Sequence, residues 1–211
     1  MSKILVIGAS GQIGNMITRT LIASNQAVRA LVRDKNTLAD LKDSGLEIVE
    51  MDLEDDFSKA FEEIDSIIFC AGSGAKTGAD KTLLIDLWAA KKATDYALKA
   101  DVEHFVMISS MGAEDPDNLP SDIQPYLIAK YMADRYLALS EVPYTILRPG
   151  LLTNEKGKGK ITIKRPINRD EMSITRADVA TAALFCLNND RLKNRTFELF
   201  NGTYEFKNIL V

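Results

Sequence analysis

Short, nearly continuous apolar runs recur along this chain, and the stretches between them carry their apolar residues at a longer period. Lys3-Ile4-Leu5-Val6-Ile7 is β-branched and stopped by Gly8, the pattern of a strand covered on both faces. Behind it Ile13, Ile17 and Leu21 repeat at helical spacing, with Ile22 widening the same face. The alternation continues with strands at Ala27–Val32, Glu47–Glu50, Ser66–Cys70, His104–Ile108 and Tyr144–Arg148. Between them lie a short helix over 36–44 stopped by Gly45, a long one over 81–100 carrying Leu84, Leu87, Trp88 and Leu98, and one through Tyr126-Leu127-Ile128-Ala129-Lys130. Pro116, Pro120 and Pro125 punctuate the polar loop before that helix, and Pro149-Gly150 stops the strand after it. Residues 160–164 read as a strand, 176–187 as a helix opened by the capping pattern Thr175-x-x-Asp178, and 196–200 as a last strand. Strands alternating with helices predict an α/β fold, a doubly wound parallel sheet of Rossmann type. One domain spans 1–211, its main part over 1–149 and a very small C-terminal region over 150–211.

Composition narrows the class. The chain has 211 residues, 46% hydrophobic and 27% charged, enough for one compact domain with a substantial core. Thirty acidic residues against 26 basic ones give a net charge of −4, so no basic surface for nucleic acid is indicated. No apolar run reaches membrane-spanning length, and Met-Ser-Lys leads straight into a strand without an apolar signal region. Cys70 and Cys186 sit in apolar surroundings and read as buried small hydrophobes, not a disulfide framework. These features suit a cytoplasmic protein. The single histidine, His104, argues against a multi-histidine metal site or a histidine-based triad, and no metal is expected. Its place before a strand suggests a partly exposed entry residue.

Chemistry first shows itself at the end of the first strand, in Gly8-Ala9-Ser10-Gly11-Gln12-Ile13-Gly14. Strand, glycine-rich turn and helix in succession are the context of a dinucleotide-binding fingerprint. The glycines permit a tight turn, close approach to a pyrophosphate and helix–strand packing, and the helix N-terminus offers N–H groups to phosphate. Gly8, Ser10, Gly11, Gln12, Ile13 and Gly14 are therefore candidate cofactor contacts. At the end of the second strand Arg33 suits a 2′-phosphate, which points to NADP(H), while the neighbouring Asp34 could serve a 2′-hydroxyl and keeps NAD(H) open. Asp52 could accept from an adenine amino group or cap the following turn, with Leu53 packing on the ring. Ala71 and Gly72 again allow close approach of backbone to a ligand. Tyr126 and Lys130, four residues apart, share one helix face, and a nearby ammonium favours a phenolate.

Taken in order, the Gly8/Gly11/Gly14 turn, Arg33-Asp34, Asp52-Leu53, Ser109-Ser110, Tyr126-x-x-x-Lys130 and Arg148-Pro149-Gly150 resemble the short-chain dehydrogenase/reductase superfamily over nearly the whole chain. The nearest likeness is to its atypical branch, the compact NAD(P)-binding proteins that include NmrA-like and biliverdin-IXβ-reductase-like members, within the NAD-dependent epimerase/dehydratase group. The resemblance implies an NADP-binding Rossmann fold with Tyr126 as acid/base. Lys130 tunes the tyrosine and binds the nicotinamide ribose, and Ser109 or Ser110 orients the substrate. Asp86 falls where the family usually has an Asn, and would order the same water or lysine network. The short portion after Pro149 argues against nucleotide-sugar chemistry. An NADP-dependent oxidoreductase acting on a small carbonyl or quinone follows, working as monomer or homodimer. The alternatives are a catalytically silent NADP-binding redox sensor and an epimerase or dehydratase. Asn154-Glu155-Lys156-Gly157-Lys158-Gly159-Lys160 is either a basic lip attracting an anionic substrate or a solvated loop.

Overall fold

The structure, a computed structural model, describes residues 2–42, 44–74, 77–118 and 122–209. The chain begins β1 (Lys3–Ile7), α1 (Gln12–Ala23), β2 (Ala27–Val32), β3 (Glu47–Glu50), β4 (Ser66–Phe69). A long helix follows in three parts: α2 (Ala79–Lys81), a π-helical stretch (Thr82–Ala89) and α3 (Ala90–Lys99). Then come β5 (His104–Ile108), α4 (Gln124–Leu139), β6 (Tyr144–Pro149), β7 (Leu151–Thr153), β8 (Lys160–Thr162), β9 (Ser173–Thr175), α5 (Arg176–Leu187), β10 (Arg195–Asn201), β11 (Tyr204–Glu205) and α6 (Phe206–Ile209).

The main sheet runs β11-β8-β10-β6-β5-β4-β1-β2-β3. From β10 to β3 every neighbouring pair is parallel, with Ile4 opposite both Val28 and Ser66. β8 and β11 add an antiparallel extension at one edge, and β7 with β9 forms a separate parallel pair. The sheet is thus the expected doubly wound one, extended by β8, which falls in the expected strand over 160–164, and by the two-residue β11, which the sequence pattern does not predict.

Strand alternation builds two cores. Ile4, Val6, Val28 and Ala30 face one way, into a cluster with Ile17, Leu21, Val179 and Ala183 of α1 and α5. Leu5, Ile7, Leu31, Ile67 and Phe69 face the other way, against Ala89, Ala93, Ala133 and Leu137 of the long helix and α4. Burial on both faces explains why these strands read as nearly continuous apolar runs, interrupted in β2 by Arg29, which is buried but paired with Glu47 and the carbonyls of Ala60 and Glu62.

Several expectations are corrected. His104 is 1% exposed, not a partly exposed entry residue. Its Nε2 lies 2.8 Å from Thr145 Oγ1, whose hydroxyl donates to Leu192 O, and this ties β5 and β6 to the turn before β10. Burial and the charge of Lys193 push its pKa down to about 4, so the ring stays neutral. The short helix after β2 is a 3₁₀ segment, Lys35–Leu41, with non-helical dihedrals at Leu38; Asp43, in the expected range, lies outside the described residues. The segment ends at Leu41 with Lys42 as its cap, so Gly45 is not its C′ residue; Gly45, with φ +82°, lies in the turn before β3. Trp88 and Leu98, two of the long helix's apolar positions, are about half exposed. The inward stripe is Thr82, Asp86, Ala89, Ala90 and Ala93, at helical spacing, and Trp88 lies off it. Pro125 lies in the first turn of α4, where its missing N–H costs nothing; Pro120 falls outside the described residues.

Candidate functional site

The strand order reverses between β1 and β4, the switch point at whose carboxyl edge open α/β sheets bind ligands. The turn after β1 lies there. Gly8 has φ +86°, and a Cβ on it would come 2.7 Å from the amide nitrogen of Ala71. A Cβ on Gly14 would meet Gly8 O at 2.3 Å and Cys70 Sγ at 2.8 Å, so this glycine brings α1 down onto the sheet. Gly11 is the N-cap and has no side chain to satisfy the first-turn N–H groups, which remain available to an anion.

Two adjoining cavities run along this edge and share Cys70, Ala71, Gly72 and Ser73. The first, of about 270 Å³, is lined by Gly8, Ser10, Gly11, Arg33, Asp52 and Leu53 among others. The second, of about 610 Å³, gathers Ile13, Asp86, Ser109, Tyr126 and Lys130. Gln12 is exposed at the helix start and lines neither cavity; Gly14 is buried beneath the turn. Asp52 Oδ1 accepts from Glu54 N at 2.9 Å, so it caps its own turn while standing at the cavity wall. Arg33 is exposed at the rim. Asp34 instead turns away to cap the 3₁₀ segment, accepting from Asn36 N and Asn36 Nδ2 at 2.9 Å each.

α4 and the π stretch hold the second cavity's polar groups. Tyr126 and Lys130 sit one turn apart on α4, and Lys130 Nζ lies 5.9 Å from the Tyr126 ring centroid. Lys130 is buried; it donates to Ile108 O at 3.3 Å and ion-pairs with Asp86 Oδ1 at 3.3 Å. Burial alone would lower its pKa, but negative charge on Tyr126, Asp86 and Asp134 outweighs it and holds the ammonium above its ordinary value. Asp86, 1% exposed, accepts from Ser73 N at 3.0 Å through Oδ2 and fixes the backbone that follows Gly72.

Of the two serines at the end of β5, Ser109 is buried on the cavity wall. Among the described residues its Oγ has no hydrogen-bond partner. Ser110 is turned away, donating to Met111 O at 3.1 Å. Sequence reasoning missed Asp134, two turns beyond Tyr126 on the same face of α4. It is buried, takes Arg148 Nε on Oδ2 at 2.8 Å and leaves Oδ1 unpartnered among the described residues. Burial pushes its carboxyl up, while Arg148, Ser109 and Lys130 act the other way. The signal was present in the spacing Tyr126, Lys130, Asp134. Cys70 is half-buried between the two cavities and donates to Ile7 O at 3.1 Å; desolvation pushes its thiol up to about 12, which leaves it unreactive.

The Asn154–Lys160 segment is pinned, not loose. Asp178, in the first turn of α5, accepts from Lys158 N at 2.9 Å and Gly159 N at 2.8 Å, besides the Thr175 hydroxyl at 2.9 Å. Lys156, Lys158 and Lys160 line neither cavity, and Lys158 lines a separate hollow with Lys164 and Arg165. Arg176 lines the second cavity, together with Leu152. Among the described residues no cluster of three or more His, Cys, Asp or Glu side chains could hold a metal ion, and no helix is long and apolar enough to cross a membrane.

A parallel sheet with a glycine turn at its switch point and small backbone contacts around it defines a dinucleotide-binding protein of the Rossmann type. The family model for NAD(P)H-binding proteins matches residues 8–190, and the chain belongs to that family. It is 39% identical over 205 residues to a Bacillus subtilis protein described as an uncharacterised sugar epimerase, covering 95% of this chain and 94% of that one. It is 36% identical over 124 residues to sanguinarine reductase of Eschscholzia californica, covering 54% of this chain and 44% of that one. Among solved structures, a Bacillus halodurans protein provisionally described as a NAD-dependent epimerase/dehydratase superposes with a TM-score of 0.92 at 40% identity, over 99% of this chain and 98% of that one. These likenesses lie in the atypical short-chain dehydrogenase/reductase group that the motifs suggested.

Proposed function

We propose that this protein is an NADP-dependent oxidoreductase acting on a small carbonyl or quinone. The observation that carries the reading is one cavity in which Tyr126, Lys130, Asp86 and Ser109 converge, continuous with the glycine turn. The tight turn at Gly8, where a Cβ would strike the Ala71 backbone, sets the uncapped start of α1 at the cavity wall, which fits the phosphates of a dinucleotide. Ser10, Gly11, Ile13, Asp52, Leu53, Ala71 and Gly72 would hold it, with Lys130 at the nicotinamide ribose. Among the described residues Arg33 has no charged partner at the rim while Asp34 is used as a cap, which favours a 2′-phosphate over a 2′-hydroxyl and so NADP(H) over NAD(H). When bound, the nicotinamide supplies or accepts the hydride.

The chain's own part is to move a proton and fix an oxygen. Tyr126 gives its proton to the substrate oxygen during reduction, and the fixed Lys130 ammonium stabilises the phenolate left behind. Asp86 keeps Lys130 oriented. The Ser109 hydroxyl, without a partner among the described residues, donates to the same substrate oxygen. Ser110, bonded to Met111 O, takes no part. The names of two relatives favour a second reading, an epimerase. Among the described residues, the portion after Pro149 contributes only Leu152 and Arg176 to the lining of the second cavity, and the reductase reading is preferred. Free thiols at Cys70 and Cys186 suit a reducing compartment such as the cytoplasm.

The test is NADPH oxidation against aldehydes, ketones and quinones, with NADH as control. Tyr126→Phe should lower kcat by about 10²–10⁴-fold, the range for loss of a positioned proton donor, while NADPH still binds. Tight NADPH binding without turnover on any substrate would instead make the protein a sensor. Turnover indifferent to the substitution would remove Tyr126 from the chemistry.

A further inference from the structure

We propose that Arg176 is the anion-recognising residue of the substrate end of the cleft, selecting carbonyl compounds that carry a carboxylate or a comparable acid group. The inference rests on the oxidoreductase reading and adds the class of substrate to it. Arg176 lines the cavity that holds Ser109, Tyr126 and Lys130. Its Nη1 donates to Leu152 O at 3.2 Å and to Asn154 Oδ1 at 2.8 Å, both neutral acceptors. Among the described residues no carboxylate lies within 4.0 Å of its guanidinium nitrogens. The other cation of the cavity, Lys130, already has its charge matched by Asp86. Arg176 is therefore the cation with charge to spare, and Asp122, exposed on the loop into α4, is the carboxylate it works against.

The position itself is telling. Arg176 is the first residue of α5, where the helix dipole disfavours a positive charge and attracts a negative one. An anion brought there would satisfy both the guanidinium and the helix end. The backbone that carries it is also held in place: Ile174 of β9 pairs with Leu152 of β7, and the Thr175–Asp178 cap fixes the start of the helix. The phosphate cradle, Ser10 and Gly11, opens on the neighbouring cavity, which Arg176 does not line, so the anion served is the substrate's and not the cofactor's. Ile123, Pro125 and Leu152 supply apolar wall for the rest of such a molecule.

Matched probes test this: 4-carboxybenzaldehyde and its methyl ester as substrates, and the corresponding two benzyl alcohols as ligands of the NADP⁺-bound protein by calorimetry. The wild type should prefer the acid in both measurements. In Arg176→Gln the acid-to-ester ratio of kcat/KM should fall about ten-fold or more, chiefly through KM, as loss of a charge-assisted hydrogen bond implies. Arg176→Lys should recover part of it. Equal handling of acid and ester by the wild type would overturn the proposal, as would an equal loss for both in Arg176→Gln, the mark of a merely structural tie to Leu152 and Asn154. Weakened NADPH binding in Arg176→Gln, with the acid-to-ester ratio intact, would reassign the guanidinium to a cofactor phosphate. Acid-selective binding without turnover would uphold Arg176 and defeat the oxidoreductase reading. Turnover without acid selectivity would do the reverse.

Discussion

Burying an ionisable side chain couples its protonation to folding, and His104 shows the effect without involving the active cleft. In the unfolded chain its pKa lies near 6.5; in the fold it is pushed down to about 4. The native state therefore holds fewer protons on this ring between those values. The stability His104 contributes is fully present above pH 6.5 and is lost as pH falls towards 4, on the order of 3 kcal/mol across the window. Urea unfolding of the wild type and His104→Gln between pH 7 and 4.5 should give curves that diverge, the wild type losing more on acidification. Parallel curves would refute it. Lys130 poses a different problem. Removing it would leave Asp86 as a buried, uncompensated charge, at a cost of about 3–5 kcal/mol. Tyr126→Phe removes one hydroxyl and leaves that pair intact, so it isolates the chemistry.

At the scale of elements, the turn from β1 to α1 is built by contact. Gly14→Ala would drive a methyl group to within 2.3 Å of Gly8 O, and α1 would have to lift off the sheet. The expected loss is about 1–3 kcal/mol together with weakened NADPH binding. Gly45→Ala is the control: its φ is +82° but nothing lies within 4 Å of the added carbon. It should cost about 1 kcal/mol in left-handed strain and leave binding unchanged. Both follow from chemical denaturation and cofactor titration; a Gly14→Ala protein with wild-type affinity would show that the turn does not set the cofactor site. The π stretch over Thr82–Ala89 belongs to this scale too. It places Asp86 inward and leaves Trp88, two residues on, half exposed on the opposite side of the same element.

For the whole molecule, a ligand that binds only the native state stabilises it by mass action, by about 2.7 kcal/mol at a concentration one hundred times Kd. If Arg33 reads a 2′-phosphate, NADP⁺ should raise Tm more than NAD⁺ at equal concentration. The difference should disappear in Arg33→Ala. Equal shifts for the two cofactors in the wild type would assign Arg33 to solvent alone.

The sequence by itself determined the parallel sheet, because strands covered on both faces read as nearly continuous apolar runs, and it located the glycine turn, because only glycine fits at Gly8 and Gly14. Tyr126 and Lys130 were legible from their spacing of four. What the chain could not announce were contacts between residues far apart. Ser109 and Ser110 are neighbours of identical chemistry, and only the packing of β5 against α4 brings the first to the cavity wall and turns the second to Met111 O. The burial of His104 depends on Thr145 and the turn at Leu192, which no local pattern around residue 104 encodes. Arg176 read as a helix-start residue until β7 and β9 paired and brought it to the cleft. Periodicity reports which side of an element is buried; where two elements meet, and which polar groups they enclose, is decided by tertiary packing.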